Sequence, residues 1–460
     1  MKRNKTKQAQ RIRSHLKQVN LFAAGIDIGS RSHFVAVPEE LDKQPVREFA
    51  GFTGDLHRLA DWLVEMGIRT VAMESTGVYW IPVYEILEAR GLAVLLVDAR
   101  HVKNVPGRKT DVLDCQWIQQ LHTYGLLRGA FRPPEEMVAL RSYLRQREGL
   151  IASASDCIRH MQKALRQMNL LLENVVSDIT GVTGLAIIRA ILAGERDSKQ
   201  LARLRDKRCR NDERTIAGSL EGHYREAHLF ALQQALECYD FYQQQIKACE
   251  GAIERHVREI EGDNDNDQDV PPASKPKGHH KNGFDFDVRS QLYRLTGVDL
   301  PEINGMSEST VLTIVSETGL DMKAWPSEKH FASWLGLSPG NKITGGKQLS
   351  GKTRPSPNRA AAAFRLAAYS LANSKTALGA FYRRLRNRLG APKAITATAH
   401  KLARLFYRLL KNQTPFMDPG QDYYDQQYQE RTTRNLMKRA AALGYKLIPE
   451  STGGLNESMC

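Results

Sequence analysis

Between residues 23 and 97 the apolar side chains fall into short runs set off by Gly, Pro and polar residues, and that rhythm leaves few folds open. The runs at 23–28, 34–37 and 46–50 are separated only by Gly29-Ser30-Arg31 and the polar stretch 38–45, a spacing that predicts a three-stranded antiparallel meander. A helix-period segment at 56–66 leads to a fourth strand at 70–73. A helix at 78–90 follows Gly77, and 93–97 makes a fifth strand.

Three antiparallel strands followed by alternating helix and strand is the layout of the ribonuclease H-like α/β fold. Its acidic residues sit at telling places. Asp27 lies near the end of the first run and Glu74 at the end of the fourth, while Asp111 and Asp114 open a helix three residues apart and so share its face. In an open sheet, ligands collect at strand carboxyl ends, which directs Asp27 and Glu74 to one point. Four converging carboxylates repel unless a cation joins them, and hard oxygen donors select Mg²⁺ or Mn²⁺, a pair of which can clamp the two oxygens exchanged at a phosphodiester. The plainer alternative is a turn at Asp27 and dipole-complementing acids in a first helical turn.

Charge points the same way. The 66 Lys and Arg against 51 Asp and Glu give a formal +15, which favours polyanionic partners. A basic, Gly/Pro-broken loop, with Lys103, Arg108 and Lys109, runs directly into Asp111. It reads either as phosphate-holding or as a solvated loop. The six Cys (115, 157, 209, 238, 249, 460) include no CxxC pair and no His at zinc spacing, as in reduced cytosolic proteins. Residues 1–19 form a basic arm without a signal-peptide core, and no run is long and apolar enough to span a bilayer. A cytoplasmic, nucleoid-associated protein of bacterial type is the expectation.

After the α/β domain (20–132), the patterning becomes helical. Apolar residues recur at three and four spacing across 137–173 and again across 224–260, predicting a coiled-coil or bundle region over 133–261, with the glycines at 181 and 184 as a turn between short helices. Residues 262–287 are low in complexity and read as a disordered linker. A mostly helical domain over 288–415 follows, and 416–460 are left as a tail. Within that domain Leu295-Thr296-Gly297-Val298 and Ile303-Asn304-Gly305-Met306 read either as a helix-hairpin-helix whose Gly turn offers N–H groups to a phosphate or as ordinary helix turns. The stretch 341–359 is rich in Gly, hydroxyls and bases, among them Thr344, Lys347, Ser350, Lys352 and Arg354. Its chemistry suits either a hydroxyl nucleophile with basic neighbours or a simple nucleic-acid contact loop.

Taken together, AGIDIGSRSH, VAMESTGVYW, VDARHVKNVPGRKTDVLDCQWIQQL, DITGVTGLAIIRAILAGERD, FASWLGLSPGNKITGGKQLSGKTR and NRAAAAFRLAAYSL resemble the DEDD-type insertion-sequence transposases related to the pilin-gene invertase, in that family's order from about residue 20 to 415. The resemblance implies a RuvC-like N-terminal domain in which Asp27, Glu74, Asp111 and Asp114 bind Mg²⁺, a coiled-coil middle and a C-terminal transposase domain. It also implies a serine nucleophile from the C-terminal domain in a composite site, a noncoding RNA encoded by the element that pairs with donor and target DNA, and homodimers that meet as tetramers. This chain carries Thr344 where relatives have Ser before Gly-Gly-Lys. The added methyl stiffens χ1 and crowds the reacting centre, and Ser350 and Ser356 lie nearby as alternatives.

Overall fold

The computed structural model describes residues 17–75, 77–97, 111–261 and 281–448, leaving aside the side chains of 111–113 and 342. The chain divides into two compact units, Met1–Arg132 and Pro133–Cys460.

The first unit is built on five strands: β1 (Ala23–Ile28), β2 (Ser32–Ala36), β3 (Val46–Ala50), β4 (Thr70–Glu74) and β5 (Ala93–Val97). They form one sheet in the order β3-β2-β1-β4-β5. β1–β2 and β2–β3 pair antiparallel, whereas β1–β4 and β4–β5 pair parallel. The N-terminal unit is thus a mixed α/β sheet, consistent with the ribonuclease H-like layout, with β1 at its centre. β2 begins two residues earlier than its apolar run, because Ser32 and His33 already pair with Ala50 and Phe49.

Helices α1 (Thr53–Glu65), α2 (Trp80–Ala89) and α3 (Asp111–Thr123) cover the sheet. The α1 residues Leu56, Leu59, Ala60 and Leu63 recur at the helical spacing and pack with Val83 and Leu87 of α2 on one face, against Ala24, Ile26, Val71 and Met73. The alternate residues point to the opposite face, where Ala72 and Val97 meet Ile118 of α3. There Gly25 sits under α3: a Cβ at Gly25 would stand 2.3 Å from the Gln119 N and 2.4 Å from the Cys115 O. The backbone amides of Val19 and Asn20 donate to the Thr123 O at the far end of that helix, at 2.8 and 3.0 Å.

In the second unit α4 (Glu135–Gln167) and α9 (Glu226–Glu261) are the two long helices. They lie antiparallel: His256 Nε2 reaches the Glu136 O at 2.8 Å, while Arg147 meets Glu250. Between them in sequence come α5 (Leu172–Val175), α6 (Val182–Leu192), α7 (Ser198–Ala202) and α8 (Glu213–Ser219). Met161, Leu165, Ile187, Ile191, Leu232 and Leu236 join α4, α6 and α9 in one buried core. Of the two glycines expected to form a turn, only Gly181 does so: α6 starts at Val182 and runs through Gly184.

The linker expectation also changes at its end. Residues 262–280 lie outside the described residues, but from Lys281 the chain is held in place. Arg147 Nη2 donates to the Asn282 and Gly283 carbonyls at 2.9 and 3.0 Å, its guanidinium covers the Phe284 ring at 4.0 Å, and Glu250 accepts from the Asp285 N at 3.2 Å. Both ion-pair partners are buried, and the carbonyl bonds to Nη2 add hydrogen bonds of the kind a buried charge requires.

The remaining helices are α10 (Val288–Thr296), α11 (Glu308–Thr318), α12 (Glu328–Trp334), α13 (Arg359–Ser370), α14 (Ala377–Leu389), α15 (Ala391–Asn412) and α16 (Gln421–Ala442), with a hairpin of β6 (Lys342–Thr344) and β7 (Lys347–Ser350) before α13. Where α12, α13 and α15 meet, Phe331 stacks on Phe406 and Phe364 meets both rings edge-on. The expected helix-hairpin-helix does not present a phosphate cradle at Gly305. That glycine, at φ +86°, faces α13, and a Cβ there would lie 2.6 Å from the Ala367 O. The tail expectation misses α16, which a hydrogen bond from Arg383 Nη2 to Gln421 Oε1 (2.7 Å) and the Phe381–Tyr424 ring contact join to α14.

Candidate nucleic-acid processing site

The sheet register explains how Asp27 and Glu74 come together. Ala23 to Ile26 pair in parallel with Thr70 to Met73, so one further step along both strands sets Asp27 beside Glu74. Side chains alternate along a strand, so Asp27 shares the face of Gly25 and Glu74 the face of Ala72. That is the face α3 covers. The absent side chain at Gly25 lets α3 approach closely, and Asp114 stands on that helix one residue before Cys115.

The carboxylates also meet electrostatically. Burial, with the charges of Asp27 and Asp114 acting in the same direction, pushes the Cys115 thiol up to about 12. A strand residue and a helix residue thus act on one buried sulfur. Asp27, Glu74 and Asp114 are all partly buried. Asp111 is the first residue of α3, but its side chain lies outside the described residues, and so do Lys103, Arg108 and Lys109. Among the described residues no three His, Cys, Asp or Glu form a group able to hold a metal ion. The donors that do face α3 are carboxylate oxygens, the chemistry a hard divalent cation takes.

In the second unit Thr344 closes β6, and Gly345-Gly346 make a two-residue turn into β7, with φ of +55° and +75°. Positive φ at both central residues is the type I′ signature, which explains the glycine pair: it closes the hairpin. Thr344 pairs with Lys347 across the turn, and this sets the hydroxyl and the ammonium-bearing side chain on one face. Thr344, Lys347, Lys352 and Arg354 are exposed. Ser350 is half-buried, pairs with Lys342, and accepts a hydrogen bond from the Lys352 N at 3.3 Å through its Oγ. Ser356 is turned inward, its Cβ 2.9 Å from where a Gly336 Cβ would be, and its Oγ accepts from the Asn358 N.

Two family models match these same regions. One, described as "Transposase", covers residues 24–170, and one described as "Transposase IS116/IS110/IS902 family" covers residues 299–383. The chain belongs to the IS110 family of transposases. No curated protein matches it. As an IS110-family transposase it is a DNA-processing enzyme, and the first matched segment holds Asp27, Glu74, Asp111 and Asp114 while the second holds Thr344 and Ser350. No helix among the described residues of this transposase is long and apolar enough to cross a membrane.

Sequence reasoning overlooked Gly25 and the Cys115–Gln119 stretch that seats α3. The available signal was a glycine two residues before Asp27 inside an otherwise apolar strand, which marks a close backbone approach.

Proposed function

We propose that this transposase mobilises its own insertion sequence by divalent-metal-dependent strand cleavage and transfer, with Asp27, Glu74, Asp111 and Asp114 as the metal ligands of a RuvC-like domain. The observation that carries this is the step of register that sets Asp27 beside Glu74 on the face where α3 brings Asp114. Bound Mg²⁺, or Mn²⁺, would supply positive charge to the phosphate oxygens as charge builds there. The protein's share is positioning: the four carboxylates fix the cation, and Lys103, Arg108 and Lys109 hold neighbouring phosphates.

The nucleophile in this reading is the Thr344 hydroxyl, with Ser350 as the alternative. The oxygen attacks phosphorus, a P–O bond to threonine replaces the P–O bond to the departing strand, and the proton lost by the threonine hydroxyl is balanced by one taken up on the departing strand's oxygen, which leaves as a free hydroxyl. Bond energy is thereby kept in a covalent link for rejoining. Exposure of Thr344 at a hairpin tip, with Lys347 paired across the turn and Lys352 and Arg354 exposed at the base of the same hairpin, supports contact with a DNA backbone. The likeness to relatives further suggests that an element-encoded RNA selects the sites by base pairing, and that homodimers assemble into tetramers.

A suicide DNA substrate incubated with Mg²⁺ tests the scheme. A protein–DNA adduct that disappears in Thr344→Ala and in Asp114→Asn supports it. Nicked ends without adduct would make the chain a metal-dependent nuclease using water, and binding without cleavage would make it an inactive relative. RNA recovered with the purified protein tests the guide.

A further inference from the structure

At the end of the second matched segment and beyond it, α14, α15 and α16 line a cleft of about 310 Å³, the size that takes a nucleotide-sized ligand. Arg384, Lys401, Arg431 and Arg434 line it, against one acid, Glu430. Among the described residues none of the four cations forms an ion pair, although Glu430 stands in the same lining. The Lys401 ammonium is desolvated and has Arg384 and Arg408 as like-charged neighbours, which lowers its pKa.

The same cleft carries aromatic faces. The Arg384 guanidinium lies 3.4 Å from the Tyr428 ring centre and 4.9 Å from that of Tyr424, and Lys401 stands 4.3 Å from Phe381. Cation–π contacts on their own would make this ordinary packing. Two further atoms argue otherwise: Arg384 Nη1 and the Tyr424 hydroxyl are buried there without a hydrogen-bond partner. A buried donor without an acceptor costs stability, so a site with two such groups and unbalanced positive charge lacks an anion that also accepts hydrogen bonds.

We propose that the α14–α16 cleft binds an unpaired nucleotide of a nucleic-acid strand, its phosphate on Arg384, Arg431 and Arg434 and its base added to the Arg384–Tyr428 stack. Single-stranded nucleic acid is recognised through this combination of a cationic groove and stacking faces, whereas a duplex buries its base faces. An acidic peptide would satisfy the charge but leave the rings unused. The inference rests on the reading that this chain handles nucleic acid, and it adds a contact outside the carboxylate site and the hairpin. None of the α16 residues is buried, so changes at Tyr428, Arg431 or Arg434 leave the core alone.

The test is fluorescence anisotropy with the full chain and labelled oligo-dT, oligo-rU and a hairpin duplex, each of about twelve nucleotides per strand, a length within the site sizes of single-strand binders. Tyr428→Ala is expected to weaken single-strand binding roughly tenfold and duplex binding less than about twofold, with Tyr428→Phe restoring it. Arg431→Ala combined with Arg434→Ala should reduce the salt slope for the single strand by roughly 0.7 per cation removed. The oligomer that binds tighter, dT or rU, tells whether DNA or RNA is the natural occupant. Single-strand affinity unchanged in these variants, an equal loss for duplex, or equal displacement from wild type and Tyr428→Ala by poly-glutamate would overturn the proposal. If the wild type forms the covalent adduct and the variants still bind single strands normally, only the cleft is wrong; if the wild type binds no nucleic acid, both readings fall.

Discussion

At the scale of the residue, position 25 shows how one missing side chain shapes a site. A methyl group at Gly25 would run into the backbone of α3 at three atoms. Backbone cannot rotate away as a side chain can, so Gly25→Ala should destabilise the first unit by about 2–3 kcal/mol, measured by urea denaturation. A loss below about 0.5 kcal/mol would mean that α3 shifts freely, and the account of how Asp114 is placed would fail. His122 gives a second test on the same helix. It is buried, its Nε2 lies 2.8 Å from Thr70 Oγ1, and burial lowers its pKa below 6.5. Because the unfolded chain then binds the proton more readily, the stability due to neutral His122 is complete above pH 6.5 and is lost as pH falls through the folded value. Melting curves between pH 7.5 and 5.5 should show that decline for the wild type and a shallower one for His122→Gln, where His33, lowered by burial as well, still contributes.

At the scale of the element, the β6–β7 hairpin separates folding from activity. Its two glycines sit at positive φ, a region that costs other L-residues about 1–2 kcal/mol each. Gly345→Ala or Gly346→Ala should distort the turn beside Thr344 and slow adduct formation roughly tenfold, while the melting temperature of the exposed hairpin's host domain barely moves. Asn, which tolerates this region better, should lose less. An unchanged adduct rate in both Ala variants would remove the hairpin from the reaction. The long helices contrast with this tip. Arg147 and Glu250 cross-link α4 and α9 inside the fold and hold residues 282–285, so that element pair owes its geometry to buried polar contacts as well as to apolar packing.

At the scale of the whole molecule, a formal charge of +15 sets the terms of association. If phosphates dominate binding, affinity for duplex DNA should fall roughly a thousandfold between about 50 and 200 mM salt in a titration. A loss under about tenfold would point to recognition carried by few ionic contacts. Much of the large-scale plan was legible beforehand, because each strand of the sheet and each long helix announces itself by its own periodicity. Asp27 and Glu74 were legible as strand-end acids for the same reason. The hairpin glycines were visible as a pair but not as a turn between two strands, since a short exposed turn carries no apolar period and its role depends on the two strands it joins. Gly305 was assigned to a phosphate because its turn is locally like a hairpin; the packing of α13 upon it is not written nearby.

What the sequence determined by itself is local: which segments become strand or helix, and which acids stand at their ends, because side-chain alternation and helical spacing are properties of neighbours in the chain. What only the tertiary structure decided is where separate segments meet. The seating of α3 on Gly25, the inward turn of Gly305, the anchoring of residues 282–285 by Arg147 and the cleft beneath α16 all join residues far apart in sequence. α16 in particular is polar on every side and buries none of its residues, so no amphipathic stripe announced a partner for it. Its neighbours became known only when rings and guanidinium groups from three helices were seen to share one space.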